Sequence, residues 1–410
     1  MKISVVTLGC KVNQCESDGI VKLLVDLGHE VSQSIEYADM YIINTCAVTS
    51  EAEKKSRQMI TRVRKCNPIA KIYVCGCASQ NNAEQFVDRG VEFVSGNALK
   101  TRLTRDFGLS GVDVAQLPLE YEDDFPLSSV RTRDYVKIQD GCDNFCTYCI
   151  VPYLRGRSRS RDISSILDDI STSTALEIVL TGIDISSYST AGGGLEVLAR
   201  ALRGCTKRLR LGSLEVRVIS ESLLQALSEI DGFCPHFHLS LQSGSDSVLK
   251  RMNRHYTSRE YIDKVNMIRR YFPNCAITTD VIVGFPLETD SEAEETVRLI
   301  EQVGFSDIHI FVYSPRPGTV AYDMPTVDTR VVEERRSRLA GIKSKLIADF
   351  CRANFTPLEV LIEEQKDGYF VGYSTNYVRV YTTSPVELGK VYRLTPTELI
   401  FDGVLAVEEK

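Results

Sequence analysis

Cys142, Cys146 and Cys149 stand in the spacing C-x3-C-x2-C directly after the strand-like run YVKIQ. Three thiolates on one short loop can hold three irons of a cubane iron–sulfur cluster and leave the fourth open to a chelating ligand. A zinc knuckle is the bland alternative, but no fourth ligand lies nearby. A second set lies near the N-terminus, where Cys10 follows KISVVTLG, Cys46 follows MYIINT and Cys77 follows KIYVCG. Each sits just beyond the carboxyl end of a strand-like run, and in a parallel sheet the loops there converge on one edge. Cys10, Cys46 and Cys77 are therefore expected to hold a second cubane, also with one open iron. Cys15 and Cys66 fall in helical stretches and Cys75 lies within a strand, so these three read as buried small hydrophobes.

The wider composition agrees with this chemistry. The chain has 410 residues, 13 cysteines and only 5 histidines. An odd cysteine count without a secretory signal argues against a disulfide framework, and the scarcity of histidine argues against mixed zinc sites. No apolar run is long enough to span a bilayer, so no membrane association is expected and the cytoplasm is the default compartment. The net charge is −7, so contact with nucleic acid must come from local patches. Arg155, Arg157, Arg159 and Arg161 in RGRSRSR form one basic run. Thr329 to Arg352 forms another, with seven Lys/Arg against three acids. A solvated helix face is the alternative for either.

The elements that must position these residues fall into three regions. Residues 1–115 alternate strands (KISVVTL, ADMYIIN, KIYVCG, VEFVSG) with amphipathic stretches, which predicts a doubly wound parallel sheet. The acidic stretch GLSGVDVAQLPLEYEDDFPLSS reads as a linker. From Val130 the rhythm resumes with six strands, YVKIQ, EIVLTG, LRLGSL, FHLSLQ, ITTDVIVG and DIHIFVY, with helices over Ser220 to Glu229 and Ser291 to Val303. Six βα units over residues 128–350 predict a partial (β/α)6 TIM-like barrel, with the cysteine loop at the carboxyl end of its first strand. A helical run, VVEERRSRLAGIKSKLIADFCRANF, closes this region. Residues 352–410 turn β-rich, with turns at Asp367-Gly368, Leu388-Gly389 and Asp402-Gly403, and predict a small all-β barrel.

The motifs TLGCKVNQ, NTCAV, GCASQ, GCDNFCTYCIVPYLRGRSRSR, LTGID, LQSGSDSVLKRMNR, TDVIVGFPLET and YSPRPGT occur in the order of a known family. Over essentially its whole length the chain resembles the radical S-adenosylmethionine methylthiotransferases, and its tail resembles a TRAM domain. TLGCKVNQ and GYSTNYVRVY resemble the branch acting on N6-threonylcarbamoyladenosine in tRNA; sister branches modify isopentenyladenosine in tRNA or an aspartate of a ribosomal protein. The resemblance implies two [4Fe–4S] clusters. The one on Cys142, Cys146 and Cys149 would reduce S-adenosylmethionine to a 5′-deoxyadenosyl radical, and the one on Cys10, Cys46 and Cys77 would carry the sulfur. The methylthio group would join carbon 2 of adenosine 37, and a reductase or flavodoxin would supply electrons. It also implies S-adenosylmethionine contacts: Tyr148 against adenine, Thr181, Gly182 and Asp184 at the methionine amino group, Glu215 at the ribose, and Gly284 behind the adenine.

No residue stands out as a general acid or base, and radical abstraction needs none. Arg155, Arg157 and Arg159, with Tyr377 and Arg379 in the tail, are the expected RNA contacts; a cross-strand pair is the alternative for the last two. Two departures from the family stand out. Val216 replaces a frequent proline in SLEVR, and residues 352–410 carry six Lys/Arg against nine acids, unusual for a module that grips RNA. Two readings from other classes remain, a two-cluster electron carrier and a noncatalytic RNA-binding protein with structural zinc.

Overall fold

The computed structural model describes residues 1–122, 125–127 and 131–408. The expected start of the second region, at Ser128 to Val130, lies outside them. The N-terminal sheet has six parallel strands in the order Glu30–Ser32, Lys2–Thr7, Met40–Thr45, Lys71–Gly76, Phe93–Ser95, Gly111–Asp113. Met40–Thr45 is buried at all six positions, the burial on both faces that a central parallel strand requires. The strand order reverses between Lys2–Thr7 and Met40–Thr45. Connections leave these two strands in opposite directions and open a crevice at their carboxyl ends. Two strands of this sheet, Glu30–Ser32 and Gly111–Asp113, escaped the sequence reading. Gly111–Asp113 falls in the stretch expected to be a linker; all three residues are exposed, so the edge strand carries no apolar signal.

The central region is the expected (β/α)6 partial barrel. Its parallel strands are Arg133–Asp140, Glu177–Gly182, Arg208–Leu211 (resuming as Ser213–Leu214), His236–Leu239, Ala276–Val283 and Asp307–Val312. Helices start where the sequence supplies caps. Thr257 with Glu260, and Thr289 with Glu292, form capping boxes that satisfy helix N-terminal amides. The first and last strands do not pair, which leaves one side of the barrel open. Helix Lys11–Asp26 of the N-terminal region packs along the first strand, where the Cys15 thiol donates to the Tyr135 carbonyl at 3.1 Å. Helix Thr329–Ala353 covers the last strand, and Lys343 donates to the Ile308 carbonyl at 3.0 Å.

The tail forms a closed five-stranded barrel in the order Leu358–Lys366, Tyr369–Ser374, Arg379–Thr382, Gly403–Glu408, Val391–Ile400. Its loop after Ser374 docks under the amino ends of the central strands. Arg210 donates to the carbonyls of Ser374 (2.6 Å) and Thr375 (2.8 Å), and Arg208 to that of Tyr373 (2.9 Å).

Candidate cluster sites and their surroundings

The C-x3-C-x2-C loop leaves the first barrel strand through Gly141. Its φ is +74°, and a Cβ there would stand 1.9 Å from the Arg157 carbonyl oxygen, so only glycine fits. The loop is pinned by a segment between two barrel strands. Thr147 donates through its backbone N–H to the Met252 carbonyl (3.1 Å) and through its hydroxyl to that of Arg251 (2.8 Å). The Asn253 amide donates to the carbonyls of Asn144 (3.2 Å) and Phe145 (3.1 Å), and Arg254 Nη1 to Cys146 Sγ (3.4 Å). Asn144 Nδ2 lies 3.0 Å from Asp184 Oδ2, and Cys142 Sγ 3.9 Å from the same oxygen. Glu215 lies 3.7 Å from Arg254. Cys142, Asn144, Asp184, Glu215, Arg254 and Cys146 thus close a ring at the carboxyl ends of the strands.

The expected S-adenosylmethionine contacts lie around this ring. Thr181 and Gly182 end the second strand, and a Cβ on Gly182 would meet the Gln139 carbonyl at 2.9 Å. Gly284 (φ +71°) precedes Phe285, whose ring meets that of Tyr148 edge-on at 6.3 Å. Burial pushes the Cys142 and Cys149 thiols up to about 12, and burial with the Glu215 charge raises Asp184. Asn253 and Arg254 escaped the sequence reading. They belong to LQSGSDSVLKRMNR, whose place in the family order was visible but whose contact with a loop about 108 residues away was not.

The second triad also converges. Cys10 immediately precedes helix Lys11–Asp26, Cys46 follows Met40–Thr45, and Cys77 opens the helix Cys77–Asn81, so all three lie at the carboxyl edge of the sheet. A Cβ on Gly9 (φ +103°) would stand 2.8 Å from Cys46 Sγ, which brings the first two loops into contact. Burial raises the Cys10 thiol and lifts Cys46 to about 11, with Cys77 adding to both shifts. Asn97 Nδ2 donates to Cys77 Sγ at 3.5 Å and to the Leu154 carbonyl at 2.9 Å. Cys15 and Cys66 lie half-buried in helices, and Cys75 is fully buried in its strand.

The arginine run does not present a single basic face. Arg155 is completely buried and donates to Glu16 Oε1 (2.5 Å), Asn13 Oδ1 (2.5 Å) and Asp140 (3.4 Å). Arg159 is also inside, 3.2 Å from Asp140, and only Arg157 is exposed, over the Phe145 ring. Lys100 and Lys137 complete the buried cluster on Glu16 (2.5 and 3.0 Å), and Lys137 also reaches Asp140 (2.7 Å). Burial opposes ionisation of Glu16, but Arg155, Lys100 and Lys137 outweigh it and hold the carboxyl well below its ordinary range. The cluster sets four cations against two carboxylates, an excess of two positive charges. Arg155 acts on Cys10 and Cys46, favouring their thiolates.

Tyr377 and Arg379 are likewise engaged within the protein. The Tyr377 ring stacks on His236 at 3.8 Å and on Tyr373 at 4.7 Å, with Arg210 5.1 Å from its centroid. Arg379 pairs with Asp402 at 2.7 Å and Glu364 at 3.5 Å across the small barrel. Asp402 lies in a turn and Glu364 on a strand two away in the barrel, so neither is a direct cross-strand neighbour of Arg379.

The donor sets suit iron–sulfur clusters better than a single ion. A zinc ion with Zn–S bonds of ~2.3 Å holds its sulfurs about 3.8 Å apart. Among the described residues, only His238, Asp280 and His309 bring three ligand atoms within 4.8 Å of one another, so both cysteine triads are wider than that. The positive excess beside Cys10, Cys46 and Cys77 also fits a negatively charged thiolate-bound cluster.

Residues 136–300 match the radical SAM superfamily, and residues 2–96 match a family described as uncharacterized protein family UPF0004. The fold agrees. A radical S-adenosylmethionine methyltransferase, TsrM from Kitasatospora setae, superposes with a TM-score of 0.56 at 14% identity, covering 78% of this chain and 77% of that one. Barrel, cysteine loop and sequence match together define a radical S-adenosylmethionine enzyme. Among relatives, a threonylcarbamoyladenosine tRNA methylthiotransferase of Bacillus subtilis is 36% identical over 95% of this chain and 92% of its own length. One of Aquifex aeolicus is 34% identical over 96% and 100%. A tRNA-2-methylthio-N(6)-dimethylallyladenosine synthase of Desulfotalea psychrophila is 35% identical over 91% and 90%. The chain belongs to the methylthiotransferase family of radical S-adenosylmethionine enzymes.

Proposed function

We propose that this protein transfers a methylthio group to carbon 2 of N6-threonylcarbamoyladenosine at position 37 of tRNA, in the cytoplasm, with electrons from a reductase or flavodoxin. Residues 1–115 would carry one [4Fe–4S] cluster on Cys10, Cys46 and Cys77. Residues 128–350 would carry the other on Cys142, Cys146 and Cys149, with S-adenosylmethionine among Tyr148, Thr181, Gly182, Asp184, Glu215 and Gly284. Residues 352–410 would serve as the TRAM module. Once bound, these groups supply the electron transfer, radical and sulfur chemistry, and the protein contributes placement and electrostatics.

One observation carries the reading. Cys149 begins a strap whose Ile150 and Leu154 pack into the N-terminal core and whose Arg155 reaches the second triad. The strap therefore fixes the two sites relative to each other. Asn253 and Arg254 hold the first loop in shape, the one through the Asn144 and Phe145 carbonyls and the other through Cys146 Sγ. Helix Lys11–Asp26 packs against the first two barrel strands and so ties the N-terminal region to the barrel.

The test is anaerobic reconstitution followed by turnover. About eight irons should bind, falling to about four when either triad is changed to alanine. With S-adenosylmethionine and reductant, nucleoside mass spectrometry should find the methylthio product on tRNA bearing N6-threonylcarbamoyladenosine. Product only on dimethylallyladenosine tRNA would establish the second reading, which the 35% identity to that class of synthase favours. Bound zinc without cleavage of S-adenosylmethionine would leave a noncatalytic RNA-binding protein. Eight irons with no methylthio product on tRNA or ribosomal protein would leave an electron carrier.

A further inference from the structure

Lys11 directly follows Cys10 and opens helix Lys11–Asp26. Its side chain keeps solvent-accessible surface, yet it lies among charges on the barrel strands: Arg133, Arg210, Asp280 and Glu177. Lys11 also lies one helical turn before Cys15, whose thiol bonds the Tyr135 carbonyl of the first barrel strand, so the two share the helix face turned toward the barrel. The acids of that wall are already committed. Glu177 forms ion pairs with Arg133, Arg208 and Arg210, all at 2.8 Å. Asp280 is held by His238 and His309, each at 3.2 Å. Glu363 is bonded to Arg133. Among the described residues Lys11 makes no hydrogen bond or ion pair, and it is the one cation of this wall left without a partner. The helix it opens has no acidic residue in its first turn and no side-chain cap. A cation kept unpaired on the face turned toward the barrel, one residue from a cluster ligand, is suited to an anionic group of the molecule that binds there.

The relatives' substrates differ in this respect. A threonylcarbamoyl group carries a carboxylate, whereas a dimethylallyl group is hydrocarbon. We propose that Lys11 binds the carboxylate of the substituent on N6 of the substrate adenosine, which rests on the reading that this substituent is threonylcarbamoyl. Lys11 then sets specificity. A hydrocarbon substituent leaves the ammonium desolvated and unpaired, the kind of penalty by which a polar site rejects an analogue lacking its partner.

The experiment uses the reconstituted full chain. It measures anaerobic binding of an anticodon stem-loop carrying threonylcarbamoyladenosine at position 37 and of the same stem-loop with that carboxylate as its methyl ester. The parent should bind the acid about tenfold or more tightly than the ester. Lys11→Met should bring the two within about twofold, and Lys11→Arg should keep most of the difference. Equal binding of acid and ester by the parent overturns the proposal, as does a tenfold preference that survives in Lys11→Met. Should Lys11→Met lose iron, the parent and Lys11→Arg comparisons decide by the same criteria. Turnover separates the two readings. A parent that methylthiolates only dimethylallyladenosine RNA removes the substrate reading itself. Turnover of the threonylcarbamoyl RNA without acid–ester discrimination removes Lys11 alone.

Discussion

Replacing Arg155 by methionine removes a guanidinium that is wholly buried and bonded to Glu16, Asn13 and Asp140. Removing one partner of a buried ion pair costs about 3–5 kcal/mol, because the remaining charge stays desolvated. Here both acids keep other partners. Glu16 retains Lys100 at 2.5 Å and Lys137 at 3.0 Å, and Asp140 retains Lys137 at 2.7 Å and Arg159 at 3.2 Å. The cost should therefore sit near the lower end, about 3 kcal/mol. At roughly 2–4 °C per kcal/mol, the transition should fall by about 6–12 °C. Calorimetry of the iron-free protein checks this. Arg157→Met serves as the control, since its side chain is 68% exposed and should shift stability by no more than about 0.5 kcal/mol. In a background lacking Cys142, Cys146 and Cys149, Arg155→Met should also reduce the iron retained by the other triad. A loss below about 1 kcal/mol with full iron retention would refute the assignment of Arg155 as the central charge of this network.

Gly141→Ala forces a Cβ to within 1.9 Å of the Arg157 carbonyl at a φ of +74°. It should cost about half the iron and all cleavage of S-adenosylmethionine, measured by iron assay and chromatography of 5′-deoxyadenosine; full iron content would contradict the loop geometry. Hydrogen bonds from Arg251 hold Glu292 down at about 2, from an ordinary 4.5. The stability this gives is complete above about 4.5 and drains as pH falls toward about 2, so between about pH 5 and about pH 3 the urea midpoint of the parent should fall more than that of Glu292→Gln. Tyr377→Ala removes two ring stacks and a cation–π contact, together about 2–3 kcal/mol. Limited proteolysis should then release the small barrel sooner than in the parent.

Much of the fold could be read from local pattern. The buried strands announce themselves because MYIINT and KIYVCG hold the short apolar runs MYII and IYVC, rich in β-branched and aromatic residues. Cysteine positions beyond strand ends were enough to group Cys10, Cys46 and Cys77, since a parallel sheet gathers those ends on one edge. What escaped depends on distant partners. RGRSRSR looks like a basic surface until Glu16, 139 residues earlier, is found against Arg155. The tail's NYVRVY offered a ring for RNA, but the face available for a base is taken by His236, whose position across the chain leaves no mark near Tyr377. Arg254 was hidden for the same reason, its partner being the sulfur of Cys146. Charge and hydropathy report a residue's type, and pairing over a hundred residues is decided by how the elements stack.

The docking of the tail barrel makes it a floor rather than an appendage. Arg208 and Arg210 send four hydrogen bonds to main-chain carbonyls of Glu359, Tyr373, Ser374 and Thr375, and Arg133 reaches Glu363. Removing the floor would take away the carbonyls that position these guanidinium groups and open the amino ends of the strands to water. Cutting the chain before Leu358 is therefore not a clean way to ask what the module contributes to RNA binding, since it would unbalance the reaction chamber as well. For the same reason the module cannot be exchanged alone. A foreign tail would have to offer carbonyls and a carboxylate at matching places, so the floor and the chamber above it must be inherited together.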